Sequence, residues 1–238
     1  PGWGRHLFVA RSRLPVKPLG NNPSPYRINP NHPPRGGISR GPEPLGSERT
    51  PMRIGYFLNT YPRSPLTVIR EEIRALERRG LRVYRLAARS DRAALVDPGD
   101  LAEDDLTVHL GVNRTALLRS AGTWMLRHPR RALRGLRLVQ GARQLMQALL
   151  AAELVRRCEA EGIGHLHAHF GSDPADVAMM AHAMGGPRFS FTVHGPEEFD
   201  DPAALRLAEK MRRAAFTVAI SEYTRDRLRD CGGASRIA

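Results

Sequence analysis

From Met52 onward the chain alternates short runs of strand formers with longer stretches of helical period, and no other feature limits the fold as much. "RIGYFLN", "LRVYRLAAR", "LTVHL", "IGHLHAHF", "RFSFTVHG" and "FTVAIS" read as strands, because β-branched and aromatic side chains gather there between turn formers. After the first of these, "TVIREEIRALERRG" places Val68, Ile69, Ile73 and Leu76 on one helical face and closes on Gly80. Helical stretches also surround Pro174 to Met184 and Ala203 to Ala214, and a long helical region precedes "IGHLHAHF". Strands that alternate with helices form a parallel sheet covered on both faces, so the expected class is α/β with a Rossmann-like sheet. Ligands in such folds bind beyond the carboxyl ends of the strands. That rule selects Asn59 and Thr60, His169 to Ser172, His194 to Glu198, and Ser221 with Glu222.

The first 51 residues are of another kind. Eleven of the nineteen prolines lie between Pro1 and Pro51, with no sustained apolar period. Such a segment buries too little surface to offset its ordering entropy and is expected to be disordered, with Met52 as the natural start of a folded domain over residues 52–238. The formal charge of +13 implies an anionic partner. Few aromatics, no zinc-finger spacing and no aromatic-basic platform argue against nucleic acid. Cys158 and Cys231 show neither paired nor redox spacing, and no apolar run approaches the length of a membrane span, so a cytoplasmic protein is expected.

"GHLHAHFGSDPADVA" sets His165, His167 and His169 on one side of a strand. A metal is one reading, but ligands along one flat strand do not close a tetrahedron unaided, and no Cys, Asp or Glu at ligand spacing joins them before Asp173. His165 and His167 therefore read as buried, hydrogen-bonded strand residues, while His169, at the strand end, should reach the cleft. In "TVHGPEEF", His194 ends an apolar strand and Gly195 lets the backbone turn closely. Glu197 and Glu198 can hydrogen-bond an imidazole or a ligand hydroxyl, or serve as acids at a helix N-terminus. "NTYPRSPLT" lacks a Gly-rich phosphate loop, so dinucleotide binding has no support. Thr67 and Ser221 suit a first helical turn and an N-cap as well as ligand contact.

Residues 112–157 carry ten arginines and one acidic residue, Glu153, among apolar residues at mostly helical spacing. Arg114, Arg119, Trp124, Arg127, Arg130, Arg131, Arg134 and Arg137 suit an interfacial helix on anionic lipid. The plainer alternative packs the apolar stripe on the sheet and leaves the arginines solvated. Both hold if Arg114 to Arg137 meets a membrane and Gly141 to Val155 covers the sheet.

Taken in order, "FLNTYPRSPLTVIREEIRALERRG", "HLHAHFGSDPADVAMMAHAMGG", "FSFTVHGPEEFD" and "AAFTVAISEYTRDRL" resemble the N-terminal half of family 4 glycosyltransferases, close to those that assemble colanic acid and other bacterial exopolysaccharides. The resemblance implies one half of a GT-B fold, in which two Rossmann-like domains face each other across a cleft. The N-terminal domain binds mainly a saccharide or lipid-linked acceptor, and the C-terminal domain binds a nucleotide-sugar co-substrate. It further implies transfer with retention, no catalytic metal and no other cofactor; together with the arginine-rich region, the expected place is the cytoplasm, peripheral to the inner face of the plasma membrane. On this likeness Thr67 and Glu72 match the threonine and glutamate of the first-helix motif, His194 matches the histidine facing the donor sugar, and Glu197 replaces the acid three positions later. His194 and Glu197 become the catalytic candidates. Asn59, Thr60, Thr67, Glu72, His169, Gly171, Gly195, Glu198, Ser221 and Glu222 become substrate contacts.

Three departures qualify the likeness. Pro65 and Leu66 stand where the family often has Ser-Glu or Ser-His, Glu197 replaces the commoner aspartate, and the chain stops at "CGGASRIA" before any donor domain. Retaining transfer needs donor-side groups around the leaving diphosphate, so this chain alone is expected to be inactive or nearly so. Two other readings stay open: a non-enzymatic module binding an acceptor or an anionic membrane, and a histidine-based metallohydrolase.

Overall fold

The computed structural model describes residues 52–63, 66–232 and 236–238; the Pro-rich segment expected to be disordered lies outside the described residues. Six strands form one sheet: β1 (Arg53–Thr60), β2 (Arg82–Arg89), β3 (Thr107–His109), β4 (His165–His169), β5 (Arg188–Val193) and β6 (Thr217–Ala219). They lie in the order β3-β2-β1-β4-β5-β6, every neighbouring pair parallel. The expected α/β Rossmann-like sheet is thus present. Its order reverses direction between β1 and β4, so the carboxyl ends of these two strands open the crevice where such sheets bind ligands.

The helices are α1 (Thr67–Arg78), α2 (Pro98–Asp105), α3 (Arg114–Arg127), α4 (Pro129–Leu136), α5 (Ala142–Glu161), α6 (Asp173–Ala183), α7 (Leu207–Arg213) and α8 (Glu222–Asp230). Alternation along β1 divides the core between the two faces. Phe57 joins the larger cluster with Leu154, Leu166, Met180 and Phe189, whereas Tyr56 and Leu58 join Ile69 and Ile73 of α1. Val68 departs from the expected apolar face and is 72% exposed. At 100° per residue it falls outside the stripe that Ile69 and Ile73 press onto the sheet.

Helix α2 has no counterpart in the sequence reading, because its buried face is acidic rather than apolar. Asp100, Glu103 and Asp104 are all buried. Glu103 accepts from Arg85 Nε at 2.8 Å and from Tyr61 at 2.9 Å, and Asp100 pairs with Arg70. A helix held by charge pairs leaves no hydrophobic period to read.

The basic region folds as α3, α4 and α5, and two of its expected surface residues turn inward. Trp124 is 5% exposed, and its indole donates to Glu159 at 3.4 Å. The Arg131 guanidinium lies 5.0 Å over that ring and donates to the Met184 and Gly185 carbonyls and to Glu159. Together they bind α3, α4 and α5 to the end of α6, because a flat cation over an indole satisfies both groups inside the bundle. Arg114, Arg119, Arg127, Arg130, Arg134 and Arg137 remain exposed, as do Leu118, Leu126, Leu133 and Leu136. Among the described residues no helix is long and apolar enough to cross a membrane.

Trp124→Ala should lower unfolding stability by about 3 kcal/mol in urea titrations, the usual loss for a buried aromatic. A change of less than about 1 kcal/mol would return the indole to the surface.

Candidate functional site

The parallel register of β4 and β5 builds one side of the site. His167 pairs with Ser190 and His169 with Thr192 along the ladder. The Ser190 hydroxyl lies 2.8 Å from both His165 Nε2 and His167 Nδ1, and the Thr192 hydroxyl lies 3.0 Å from His167 Nε2. Burial, followed by the neighbouring histidines, pushes His167 down to about 3. His165 is half-buried and His167 buried, so the two serve the sheet as expected, as neutral rings whose nitrogens bond the next strand.

His169 is fully buried beneath the crevice rather than lining it. This corrects its expected place at the cleft edge, since the strand's last side chain points to the helix α1 face. Its Nδ1 lies 2.9 Å from His194 Nε2, and its Nε2 has no hydrogen-bond partner. Glu72 Oε2 is 3.9 Å from that nitrogen, while Glu72 Oε1 accepts from Tyr56 at 2.6 Å. Burial holds His169 at about 2 and His194 below its ordinary value, so both rings are neutral at pH 7. A neutral ring has one N–H and one lone pair. The Glu72 carboxylate favours the His169 proton on Nε2, so His169 Nδ1 accepts and His194 Nε2 donates. His194 then carries its lone pair on Nδ1, which bonds no protein group among the described residues.

The loops carrying this pair are joined by one glycine held between two buried charges. Gly171 N–H donates to Glu198 Oε1, and the Gly171 carbonyl accepts from Lys210 Nζ at 2.6 Å. Glu198 Oε2 accepts from the His194 N–H at 2.6 Å, so one carboxylate links the segments after β4 and β5. Lys210 is fully buried, pairs with Asp176 at 3.0 Å and reaches the Ser172 carbonyl at 3.2 Å. Burial lowers Lys210 and raises Asp176; it also raises Glu198, against the backbone donors that favour its charged form. Phe170, between β4 and this clasp, takes φ 75° and packs its ring 4.5 Å from that of His194. A left-handed backbone costs a residue with a Cβ about 1–2 kcal/mol, which the flanking bonds must hold in place.

Several sequence expectations change here. Gly171 and Glu198 hold the loops together, with their polar groups already committed, and are not open contacts. An added Cβ on Gly171 would meet Glu198 and Leu207 at 3.0 Å, which explains a glycine there. Glu197 is exposed, and its carboxylate lies over Gly195, where a Cβ would meet it at 2.6 Å. Asn59 and Thr60 line a cavity of about 340 Å³ with Leu66, Phe170 and Pro174. Thr67 is exposed at the start of α1. Ser221 caps α8, accepting from Thr224 N–H at 3.1 Å, and Glu222 is exposed beside it. The sequence reading missed Tyr56, Asp176 and Lys210. Lys210 did leave a signal, since Lys17 and Lys210 are the only lysines of a chain rich in arginine. Buried points that demand a compact cation favour lysine over a planar fork.

For a metal, Glu72, His167 and His169 bring ligand atoms within 4.8 Å of one another. Both His167 nitrogens are engaged by hydroxyls, so a cation there would have to displace Ser190 or Thr192. Only His169 Nε2 and Glu72 are available without rearrangement, too few for a closed site.

The family model described as Glycosyltransferase Family 4 matches residues 67–238. No curated protein matches the chain.

Removing the Lys210 ammonium leaves Asp176 buried without its partner. Lys210→Met should therefore cost about 3–5 kcal/mol, and pairing it with Asp176→Leu should recover most of that loss; a double variant no more stable than the single one would contradict the pairing. His167 and His169 bind protons less readily folded than unfolded. Stability should be complete above the unfolded value near 6.5 and fall as pH drops below it, by about 1.4 kcal/mol per unit for each histidine. Urea midpoints from pH 7 to pH 5 should show this slope, and His167→Gln should reduce it. An unchanged slope in that variant would count against the buried-neutral assignment.

Proposed function

The chain belongs to glycosyltransferase family 4, and from that premise we propose that it forms the acceptor-side half of a retaining GT-B transferase. In the transfer, an acceptor hydroxyl oxygen bonds to the anomeric carbon of a nucleotide-sugar as the carbon–oxygen bond to the diphosphate breaks. The hydroxyl proton leaves with the diphosphate oxygen, and the sugar keeps its anomeric configuration. The observation that carries this reading is the 2.9 Å contact of His194 Nε2 with His169 Nδ1 beside the crevice between β1 and β4, and the tautomer assigned above leaves a lone pair on His194 Nδ1. A neutral imidazole accepting from a donor-sugar hydroxyl would orient the ring without opposing the positive charge that develops at the anomeric carbon. Glu197, exposed beside Gly195, is the second candidate on this wall.

The described residues hold one Rossmann-like unit, and a GT-B cleft needs two. The proposal therefore assigns acceptor binding and His194 to this unit, and the nucleotide phosphates to a second unit of similar architecture. The acceptors are saccharides or lipid-linked glycans of the kind built into bacterial exopolysaccharide. The non-enzymatic alternative, a module that only binds acceptor or membrane, has no support beyond the same surfaces.

A membrane surface is the second part of the reading, carried by Leu126, 84% exposed, and Leu133, 51% exposed, beside Arg127, Arg130 and Arg134, which pair with no carboxylate among the described residues. Arginine beside exposed leucine suits the interface of an anionic bilayer, and this would place the protein at the inner face of the plasma membrane.

Purified chain given nucleotide-sugars and simple glycosides should release no nucleoside diphosphate above the buffer rate. Glycosides should nonetheless move the amide resonances of His194 and Asn59. Robust turnover would overturn the need for a second unit, and glycosides that leave those resonances unmoved would overturn the acceptor assignment. On vesicles containing anionic lipid, co-sedimentation should fall with salt and drop at least fivefold in Leu126→Asp/Leu133→Asp, with unfolding midpoints unchanged. Binding that ignores salt, lipid charge and both substitutions would sink the membrane reading.

A further inference from the structure

A second cavity, of about 150 Å³, lies beyond the carboxyl ends of β1 and β2 and beneath α3, α5 and α6. At about 30 Å³ per water it has room for roughly five waters, or for one small polyatomic group. Its polar lining is Asn59, Arg89, Arg114, Arg143, Gln147 and Asp173. Three arginines against one aspartate leave two net positive charges at the opening. Arg143 pairs with Asp173 at 2.6 Å, while Arg89 and Arg114 meet no carboxylate among the described residues.

The backbone adds to this field. Arg114 opens α3, Arg143 stands in the first turn of α5, and Asp173 opens α6, so three helix N-termini converge on one cavity. The first turns of α3 and α5 contain no acidic residue. The N-termini of α5 and α6 have no side-chain cap and present unpaired N–H groups, Asn113 Oδ1 takes the Ala116 N–H of α3, and each helix brings the positive end of its dipole. Deeper in, Gln147 is 6% exposed, and its Oε1 has no hydrogen-bond partner. That oxygen is an acceptor, so its cost is relieved by a donor such as a hydroxyl carried by the ligand, and not by an anionic oxygen.

The cavity adjoins the site. Asn59 and Pro174 line both this cavity and the one that reaches Phe170, whose ring packs on His194. A ligand anchored among the arginines can thus extend past Asn59 toward His194.

We propose that this cavity is a subsite for an oxyanion carried by the acceptor, either a phosphoryl group or a uronate carboxylate, held by Arg89 and Arg114, with Gln147 Oε1 free to accept from a hydroxyl of the same ligand. The inference rests on the acceptor-side reading above and narrows the acceptor to an anionic one. It also gives Arg114 a task at the cleft rather than at a membrane. Arginine forks suit both oxyanions because two parallel N–H donors match two oxygens.

The test is a titration of the full chain, followed through arginine Nε and glutamine side-chain resonances, with pyrophosphate, methyl glucuronide and neutral methyl glucoside as probes. At least one anionic probe should shift Gln147 and Arg114 and lose affinity as salt rises, and the glucoside should not shift them. Which anion binds tells the phosphoryl source from the carboxylate source. Arg89→Ala/Arg114→Ala should weaken that probe at least tenfold, while Arg78→Ala, on the far end of α1, should leave it within twofold. Gln147→Leu should weaken methyl glucuronide, whose hydroxyls can donate to Oε1, with an unchanged fold by circular dichroism. Failure of both anions to shift Gln147, or equal affinity in the double arginine variant, overturns the subsite. Glycoside shifts at His194 without anion binding here would sink the subsite alone. Anion binding here without glycoside shifts at His194 would sink the acceptor reading alone.

Discussion

One glycine held between a buried carboxylate and a buried ammonium fixes the geometry on which the site depends. Glu198 receives the Gly171 N–H and Lys210 donates to the Gly171 carbonyl, so the turn after β4 cannot slide along its own axis. Because Glu198 also receives the His194 N–H, the same constraint sets the turn after β5. Both charges are out of water, where an unpaired group is expensive and a paired one is directional. The left-handed Phe170 and its packing on His194 follow from this clasp.

Above the clasp, the chemistry depends on neutrality rather than charge. Three histidines at alternate positions share one low-dielectric strip, and desolvation keeps each of them below its ordinary protonation range. A charged imidazole would repel its neighbours; neutral ones form a chain of donors and acceptors. Tyr56 and Glu72, from β1 and α1, set a carboxylate 3.9 Å from His169 Nε2, beyond hydrogen-bond reach but near enough to favour the proton there and with it the donor role of His194 Nε2. Two strands and a helix meet here because the strand order reverses between β1 and β4. The crevice, the histidine pair and the arginine-lined cavity all lie at the carboxyl end of the sheet.

The strands were legible because their apolar runs are bounded by turn formers, and α1 because its apolar face is periodic. Helix α2 was not legible, since its inward residues are Asp100, Glu103 and Asp104. Position at a strand end drew attention to Asn59, His169 and His194. Strand ends alone could not separate the residue that faces the crevice from the one beneath it. Glu197 and Glu198 are adjacent and chemically alike, yet one is exposed and the other is buried against two backbone N–H groups. Trp124 looked like an interfacial anchor because it sits among arginines, and one of those arginines covers it inside the bundle.

By itself, the sequence determined the fold class, the direction of the sheet and the order of the motifs. These depend on local period and on chain order, which are written in the residues directly. The tertiary structure decided which polar residues are free and which are already paired, because that depends on partners far apart in the chain: Lys210 with Gly171 and Asp176, His169 with His194, and Arg131 with Met184 and Glu159. It also decided that three helix starts, separated by up to sixty residues, converge on one cavity. Hydrophobic period fixes where an element lies, but only packing brings distant charges within hydrogen-bond reach.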